Sequence, residues 1–381
     1  MDLMTINLDT LLPEKLIEGY RSLIWTERFT ECGDFVMTTG LVDEGLELIK
    51  PTSLVKIVQS DEIMAIDSRK VVTNDSGVAE LRVEGRSFET SFENRPAVAD
   101  MNPLLDTEYH IESVTAHEAI ATVLTKMPEG LTAEWEQILE RPVTVYRPHD
   151  FDRKADFQIP RGDQYAAALD IARAYGCGMR TFIFFRENTP RLGVEIYYGH
   201  DRSNENKAGN NPVIFSSDRG DFDSEEYLMN VRDHKNAALV FTDNTVQGYY
   251  LKSDPEVSDP PRGLHARVLY IDGSDIKPPE DTGIRNRIQY EMDLGKERLF
   301  SELQKRKLDP DITFTVSPSA YYKFGRDKDY YLGDTVTVHT SHGGRKNLQV
   351  SEYIRSEDET GEREFPTMIE VPELEGVFTE L

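Results

Sequence analysis

From residue 20 to residue 92 the chain alternates apolar and polar positions with a period of two, the spacing of half-buried strands. Leu23–Phe29 and Phe35–Thr39 read as two strands about a Cys32-Gly33-Asp34 turn. The first carries Trp25, Glu27 and Phe29 on one face, and the second carries Phe35 and Met37. Three more strands are predicted at Ser53–Gln59, Ile63–Thr73 and Ala79–Ser87, with turns at Ser60-Asp61-Glu62 and Asn74-Asp75-Ser76-Gly77. One face of such strands packs and the other is wet, and five hairpin-linked strands predict a small barrel or sandwich.

The period then changes. Val114, His117, Ala121, Leu124 and Met127 recur at helical spacing, and Thr115 with Glu118 has capping-box spacing, so a helix is predicted over Val114–Met127. A second is predicted over Asp163–Tyr175, with Tyr165, Leu169, Ala172 and Tyr175 on one side and Gly176 or Gly178 as a left-handed cap. Strands return at Met179–Arg186 and Gly193–Tyr198. The polar, turn-rich Gly199–Pro212 reads as an exposed loop. Further strands are predicted at Val213–Ser216, Tyr227–Arg232, Ala237–Thr242, Tyr249–Lys252 and Ala266–Asp272, with a Pro-rich acidic connection over Lys252–Gly263. Ile284, Ile288, Met292, Leu299 and Leu303 form one stripe of a long helix, Gly283–Lys307. The chain ends in β structure at Thr313–Ser317, Thr335–Thr340, Leu348–Arg355 and Glu364–Ile369.

Composition fits a folded, polar chain. Hydrophobic residues make up 38% of 381, with 17 Tyr and 17 Phe, enough to build sizeable cores in two or three domains. The 69 acidic and 43 basic residues give a net charge of −26, which disfavours nucleic-acid binding; on composition alone it reads first as solubility, and otherwise as a wall that phosphates pass without sticking. Cys32 and Cys177 lie in unrelated segments and make no disulfide framework or metal spacing. The opening residues lack a basic, apolar leader and no segment approaches 18 apolar residues, so neither a signal peptide nor a membrane span is expected, and assembly in a reducing cytoplasm is.

Catalytic chemistry is sparse. Gly85–Glu89 begins like a nucleophile elbow around Ser87 but has Glu89 where Gly is needed. His110 and His117 are seven apart and miss the spacing of helix-borne zinc ligands, and His339 with His342 reads as solvent-exposed. Asp201, Ser203 and Glu205 alternate as in a calcium loop, but Asn206 stands where Gly is required and Pro212 where Glu is. Arg-Gly-Asp occurs at Arg161–Asp163 and Arg219–Asp221, where Gly-Asp reads as a turn. Glu134 and Glu136 beside Trp135, and Asp221 and Asp223 beside Phe222, pair carboxylates as a glycosidase does, with nothing to fix their separation. Catalytic, cofactor-binding and metal residues are therefore all expected to be absent.

Four blocks together resemble the minor tail proteins of long, non-contractile-tailed phages of actinobacteria. They are Ser22, Trp25, Glu27, Arg28, Phe29, Gly33, Asp34 and Phe35; the Gly-Arg-Ser segment within Arg82–Arg95; the Asp-x-Lys-Asn strand of Arg232–Asn244; and the Tyr-x-Leu-Gly-Asp-x-Val entry within Lys328–Val338. Phe29 stands where that family often has Tyr, and Phe88 where it has Leu. The part beyond about residue 355 matches least.

The resemblance implies a tail-tip hub similar to that of contractile-tailed phages. The expected class is β-rich α+β: two tube-like β-barrel domains, an intervening α+β domain and a helical insert. In numbers, 1–105 is a first tube-like domain, 106–225 the α+β domain, and 226–381 a second tube-like domain with a helical insert at about 281–308. The implied function is a structural virion protein: a homotrimeric hub that closes the distal end of the tail tube, adapts a hexameric tube to a three-fold tip and forms a channel for DNA ejection. Implied partners are the distal tail protein, the tail tube and tape-measure proteins and other tip proteins, with genomic DNA passing unbound. The alternatives are a tail-associated cell-wall hydrolase or esterase, which needs a nucleophile or metal constellation, and a receptor-binding module, which needs an exposed aromatic patch. Of Glu27 and Arg28, at most one faces the core, and the other is expected to face a channel or a neighbouring chain.

Overall fold

The structure, a computed structural model, describes residues 1–40, 53–73, 77, 79–99, 109–139, 143–146, 154–250, 261–277, 284–306 and 311–370. It is mostly β-sheet with few helices. The chain forms two compact units. The first comprises Met1–Asp223, Thr315–His339 and Arg345–Pro372, and the second is built on Ser224–Phe314 and Thr340–Gly344.

An eleven-stranded sheet organises the first unit. Its order runs Ile214–Ser216, Thr335–His339, Arg345–Asp358, Tyr20–Arg28, Asp34–Gly40, Ala79–Ser87, Met64–Thr73, Leu54–Ile57, Leu3–Ile6 and Pro13–Ile17, with Gly361–Glu370 paired to Arg345–Asp358. The expected hairpin is present, with Trp25 opposite Phe35 and Leu23 opposite Met37. Alternation places Leu23, Trp25, Phe35, Met37, Leu81 and Val83 on one face, where Leu3, Val55, Ile57, Met64 and Ile66 complete a core. Trp25 and Phe35 stack there with ring centroids 5.8 Å apart.

The five predicted strands are therefore not a self-contained barrel or sandwich. The outer edge of Tyr20–Arg28 is taken by Arg345–Asp358, with Trp25 opposite Arg355 and Glu27 opposite Tyr353. The first unit takes in the strands beyond residue 335, which join the sheet begun at residue 20.

A layer of helices and strands packs elsewhere in the same unit. Helix Ala116–Thr125 is capped as predicted, with the Glu118 carboxylate accepting from Thr115 N–H at 2.9 Å. Helix Gln164–Tyr175 has Asp163 as its N-cap, accepting from Ala166 N–H at 2.8 Å, and Gly176 as its left-handed C-cap at φ +64°. Ala119, Ile120, Val123, Ala168, Ile171 and Ala172 of these helices share a core with Met179, Val194 and Ile196 of the strands Gly178–Arg186 and Thr189–Tyr197.

Several short elements carry no sequence expectation: strands Leu3–Ile6, Pro13–Ile17, Val143–Tyr146 and Ala155–Ile159, and helix Ala133–Leu139. The strand expected at Tyr227–Arg232 lies earlier, at Phe222–Leu228, leaving Met229 and Val231 exposed beyond it. The Asn74–Ser76 turn and most of the Lys252–Gly263 connection fall outside the described residues.

The second unit has a three-stranded sheet ordered Val246–Tyr250, Ala237–Phe241 and Val268–Asp272. The last two are parallel, joined through the hairpin partner. The expected long helix spans Ile284–Gln304, and its Leu299 and Leu303 pack on Ala238 and Val240.

Candidate functional site

The blocks that carried the family resemblance converge on buried polar groups. Glu27 continues the inward face of Trp25 and is 3% exposed. Its carboxylate pairs with the buried guanidinium of Arg355. That guanidinium lies over the rings of Tyr353 and Phe324, 4.7 and 5.5 Å from their centroids, and reaches Glu364 at 3.6 Å. Phe324 and Tyr353 are themselves stacked face to face at 3.6 Å. Arg28, on the opposite side, is also engaged within the chain. It pairs with Asp34, donates to Glu352 at 2.6 Å and to Cys32 C=O at 2.9 Å. The close return of the hairpin and of Arg345–Asp358 supplies its acids.

The Gly-Arg-Ser block closes the same seam. Gly85 sits where an added Cβ would overlap the Ala65 carbonyl and the Phe35 ring. Ser87 is fully buried and donates to the Glu62 carboxylate. Two residues on, Glu89 accepts from Thr181 Oγ1 at 2.9 Å. Burial raises both carboxyls. Glu89 is pushed up to about 7, and Glu62 well above the usual range, with the neighbouring Glu89 and Glu27 charges adding to its shift. Nearby, Arg180 donates to Glu195 at 2.8 Å and to Tyr331 at 3.2 Å, and Arg326 also reaches Glu195.

The Tyr-x-Leu-Gly-Asp-x-Val block contributes Gly333 and Asp334. Gly333 has φ +86° and lies against the Phe29 ring, so no side chain fits. Asp334 accepts from His200 N–H at 2.7 Å, Arg202 Nε at 2.8 Å and Tyr331 N–H at 3.0 Å. It holds the start of the Gly199–Pro212 segment on the Thr335–His339 strand. Most of that segment is exposed, as expected, and it is tied down at a few points. Ser203 is buried, Arg202 N–H donates to Thr335 C=O at 2.8 Å and Asn204 N–H to Thr337 Oγ1 at 3.0 Å. Asp201 accepts from Ser203 N–H at 2.9 Å within the segment's own turn.

The Asp-x-Lys-Asn block does parallel work in the second unit. Asn236 donates to His265 C=O at 2.9 Å and accepts from Arg267 N–H at 2.8 Å, clamping two strand entries. At the block's end, Asn244 donates through N–H and Nδ2 to the buried Glu291 at 3.1 and 2.7 Å. These bonds lower the Glu291 carboxyl pKa, the Thr242 hydroxyl contributing most.

The remaining candidates separate. His110 lies on the strand Tyr109–Val114 and the buried His117 on the following helix. His342 is exposed and His339 half-buried. Glu134, Trp135 and Glu136 are all exposed. Asp221 is buried, accepting from Ser216 N–H and from Arg219 of its own Arg-Gly-Asp turn, both at 2.9 Å, whereas Asp223 is exposed. The first Arg-Gly-Asp ends in the helix N-cap Asp163. Among the described residues, no three His, Cys, Asp or Glu side chains are placed to hold a metal ion. What the seam does chemically is join distant segments. Ser87 is engaged with Glu62, Arg355 with Glu27 and Arg180 with Glu195.

In solved structures, the chain is similar to the 43 kDa tail protein of prophage MuSo2 from Shewanella oneidensis, at 12% identity over 99% of this chain and 100% of that one, with a TM-score of 0.54. It is also similar to the tail protein from Neisseria meningitidis MC58, at 14% identity over 96% of each chain, with a TM-score of 0.50. At these identities the likeness is one of fold. No curated protein matches the chain. The family model described as Siphovirus ReqiPepy6 Gp37-like protein matches residues 9–371, nearly the whole length, and the chain therefore belongs to that siphovirus family.

Proposed function

We propose that the chain is a structural protein of the phage tail: a homotrimeric hub that closes the distal end of the tail tube and lets DNA pass. The observation that carries this reading is the shared sheet. Strands before residue 105 and strands after residue 226, the two segments assigned to tube-like domains, lie side by side through the pairing of Tyr20–Arg28 with Arg345–Asp358. Three chains then offer six related parts to a hexameric tube. The fold it shares with proteins named as tail proteins supports the same role. A net charge of −26 supports a channel wall that repels phosphates, so that DNA slides rather than binds. The tail tube, tape-measure and distal tail proteins are the partners this position requires, and the role needs no catalysis, cofactor or metal.

Electron cryomicroscopy of intact particles tests the proposal. Three copies at the distal end, around an acidic lumen, are expected. A lumen that is neutral or basic, or a position along the tube wall, would refute it.

One observation favours a second reading, a receptor-binding tail module. In the second unit, Tyr270 is 71% exposed and its ring runs nearly parallel to that of Phe241, 6.4 Å away, with Val246 exposed at the adjoining strand position. This is the exposed aromatic patch that such a module needs. Phage carrying Tyr270→Ala should adsorb normally if the hub reading alone holds, and should lose adsorption while assembling normal tails if this face takes the receptor.

A further inference from the structure

We infer that Glu62 and Glu89 form a latch between the large sheet and strand Gly178–Arg186, closed while the pair keeps a proton and released when both carboxyls are ionised. The latch lies within the first unit and goes beyond the tail role proposed above.

The two layers meet here at a narrow joint. Ile63 N–H donates to Thr181 C=O at 3.3 Å, and Glu62 makes an isolated antiparallel bridge with Phe182. Phe88 N–H returns to Ile63 C=O at 3.0 Å, so the short helix Phe88–Asn94 is fastened to the same point. Ile63, Phe88 and Leu192 share a small apolar cluster, with Ile183 packed against it. Two carboxyls close the polar side of the joint. Ser87 donates to Glu62 and Thr181 to Glu89, and the acids are 3% and 1% exposed. Neither donor is a cation, and Glu89 Oε1 is buried with no hydrogen-bond partner among the described residues. Burial disfavours the charge on each acid, and two such charges side by side also repel, so the pair keeps a proton where an exposed carboxyl would lose it.

The groups that face the pair do not relieve it. Strand Tyr20–Arg28 brings Glu27, a third acid, whose charge is taken by Arg355. Strand Gly178–Arg186 brings Arg180, which draws on Glu62 but is bonded to Glu195 and Tyr331. On the side of Glu89 stand the Cys32 thiol and the Tyr165 hydroxyl, and on the side of Glu62 the Tyr197 and Tyr331 hydroxyls, all four held protonated more firmly than usual by burial. Arg28 and Arg86 approach Cys32 but are engaged by Asp34 and Glu352, and by Asp67 and Glu93. Both acids of the latch hold their protons above the usual carboxyl range, so the closed joint is favoured at low pH. It weakens as pH rises through about 7, where Glu89 ionises, and further where Glu62 follows.

Amide hydrogen exchange of the purified full chain at pH 6 and pH 9, corrected for the intrinsic exchange rate, tests the latch. A carboxyl that keeps its proton in the closed joint and loses it in the open one raises the opening constant about ten-fold per pH unit until it ionises in the closed joint too. Peptides covering Ile63, Phe88 and Thr181 should therefore lose protection by on the order of a hundred-fold between the two pH values, while strand Thr335–His339 keeps its own. Glu62→Gln together with Glu89→Gln keeps the shape of the pair and cannot ionise, so protection at the joint should be the same at pH 6 and pH 9. A wild-type loss below about three-fold overturns the latch, and this profile decides even where the double variant does not fold. An equal loss in Thr335–His339 also overturns it, since the pair would then act on the whole unit and not on the joint. So does a double variant that loses protection as the wild type does.

Discussion

Replacing Glu27 by Gln breaks the most deeply placed ion pair of the first unit. The Glu27 and Arg355 side chains are 4% and 9% exposed, so the guanidinium left behind cannot turn to water. Removing one partner of a buried pair costs ~3–5 kcal/mol. Part of that is offset here. Glu364 remains 3.6 Å from Arg355 Nε, and the Tyr353 and Phe324 rings still face the cation, worth about 1–2 kcal/mol together. The expected net loss is ~1–4 kcal/mol, or a fall in melting temperature of roughly 2–8 °C for a unit of this size. Trp25, fully buried two residues away and stacked on Phe35, reports the transition through its fluorescence. The partner experiment is Glu27→Leu with Arg355→Met, which removes both charges and should recover most of the loss, since a buried pair is close to replaceable by apolar groups. A Glu27→Gln loss below about 1 kcal/mol, or a double variant whose cost is the sum of the singles, refutes the claim that this pair ties Tyr20–Arg28 to Arg345–Asp358.

Three further outcomes follow from the same groups. Glu89 holds a proton in the folded state up to pH about 7 but in the unfolded chain only to about 4.5, so stability falls as pH rises between those values, by about 3 kcal/mol once above 7. Urea unfolding of Glu89→Gln should therefore gain on the wild type by about that much from pH 5 to pH 8, and parallel profiles would show the carboxyl to be ionised throughout. Gly333→Ala forces a side chain into φ +86° and into the Phe29 ring and should cost ~3 kcal/mol or more, whereas Gly343→Ala at φ +81°, with open space around it, should cost only about 1, both read from urea midpoints. Asn236→Ala strands the Arg267 N–H and the His265 C=O, so amide exchange in Ala237–Phe241 and Val268–Asp272 should lose ~2–3 kcal/mol of protection while Tyr20–Arg28 keeps its own.

Local signals in the sequence located the elements whose stabilising groups are local. Asp163 and Gly176 bracket one helix, Thr115 and Glu118 start another, and strict alternation in Asp34–Gly40 marks a strand with one wet face. Elements made by a distant partner left no such trace. Pro13–Ile17 is exposed at nearly every position and is a strand because Leu3–Ile6 lies beside it. The seam was half legible. Pattern alone placed Glu27 with Trp25 and Phe29, but its counter-ion lies 328 residues away, and no spacing rule connects the two. The polar composition of Gly199–Pro212 marks an exposed loop, and most of its residues are exposed, but the backbone bonds and the Asp334 carboxylate that tie it down carry no signal of their own. The pairing that unites Tyr20–Arg28 with Arg345–Asp358 is likewise invisible to any window of sequence.

The charge balance sets a condition on assembly. Among the described residues, Glu27, Glu62, Glu89, Asp221, Glu291 and Asp334 are the buried acids, so the described acids lie mostly at the surface of a chain of net charge −26. Copies of such a chain repel over a Debye length, ~30 Å at 0.01 M salt and ~8 Å at 0.15 M. A close ion pair across a contact acts within a few ångströms and is screened far less. Raising salt over that range removes more repulsion than attraction, so self-association should strengthen. A protein built to hold DNA behaves oppositely, losing affinity as released counterions accumulate. Light scattering at the two ionic strengths decides between them for this chain: association that weakens from 0.01 to 0.15 M would mean that the dominant contacts between copies are long-range attractions, and that its acids are not the outward, phosphate-repelling surface the hub requires.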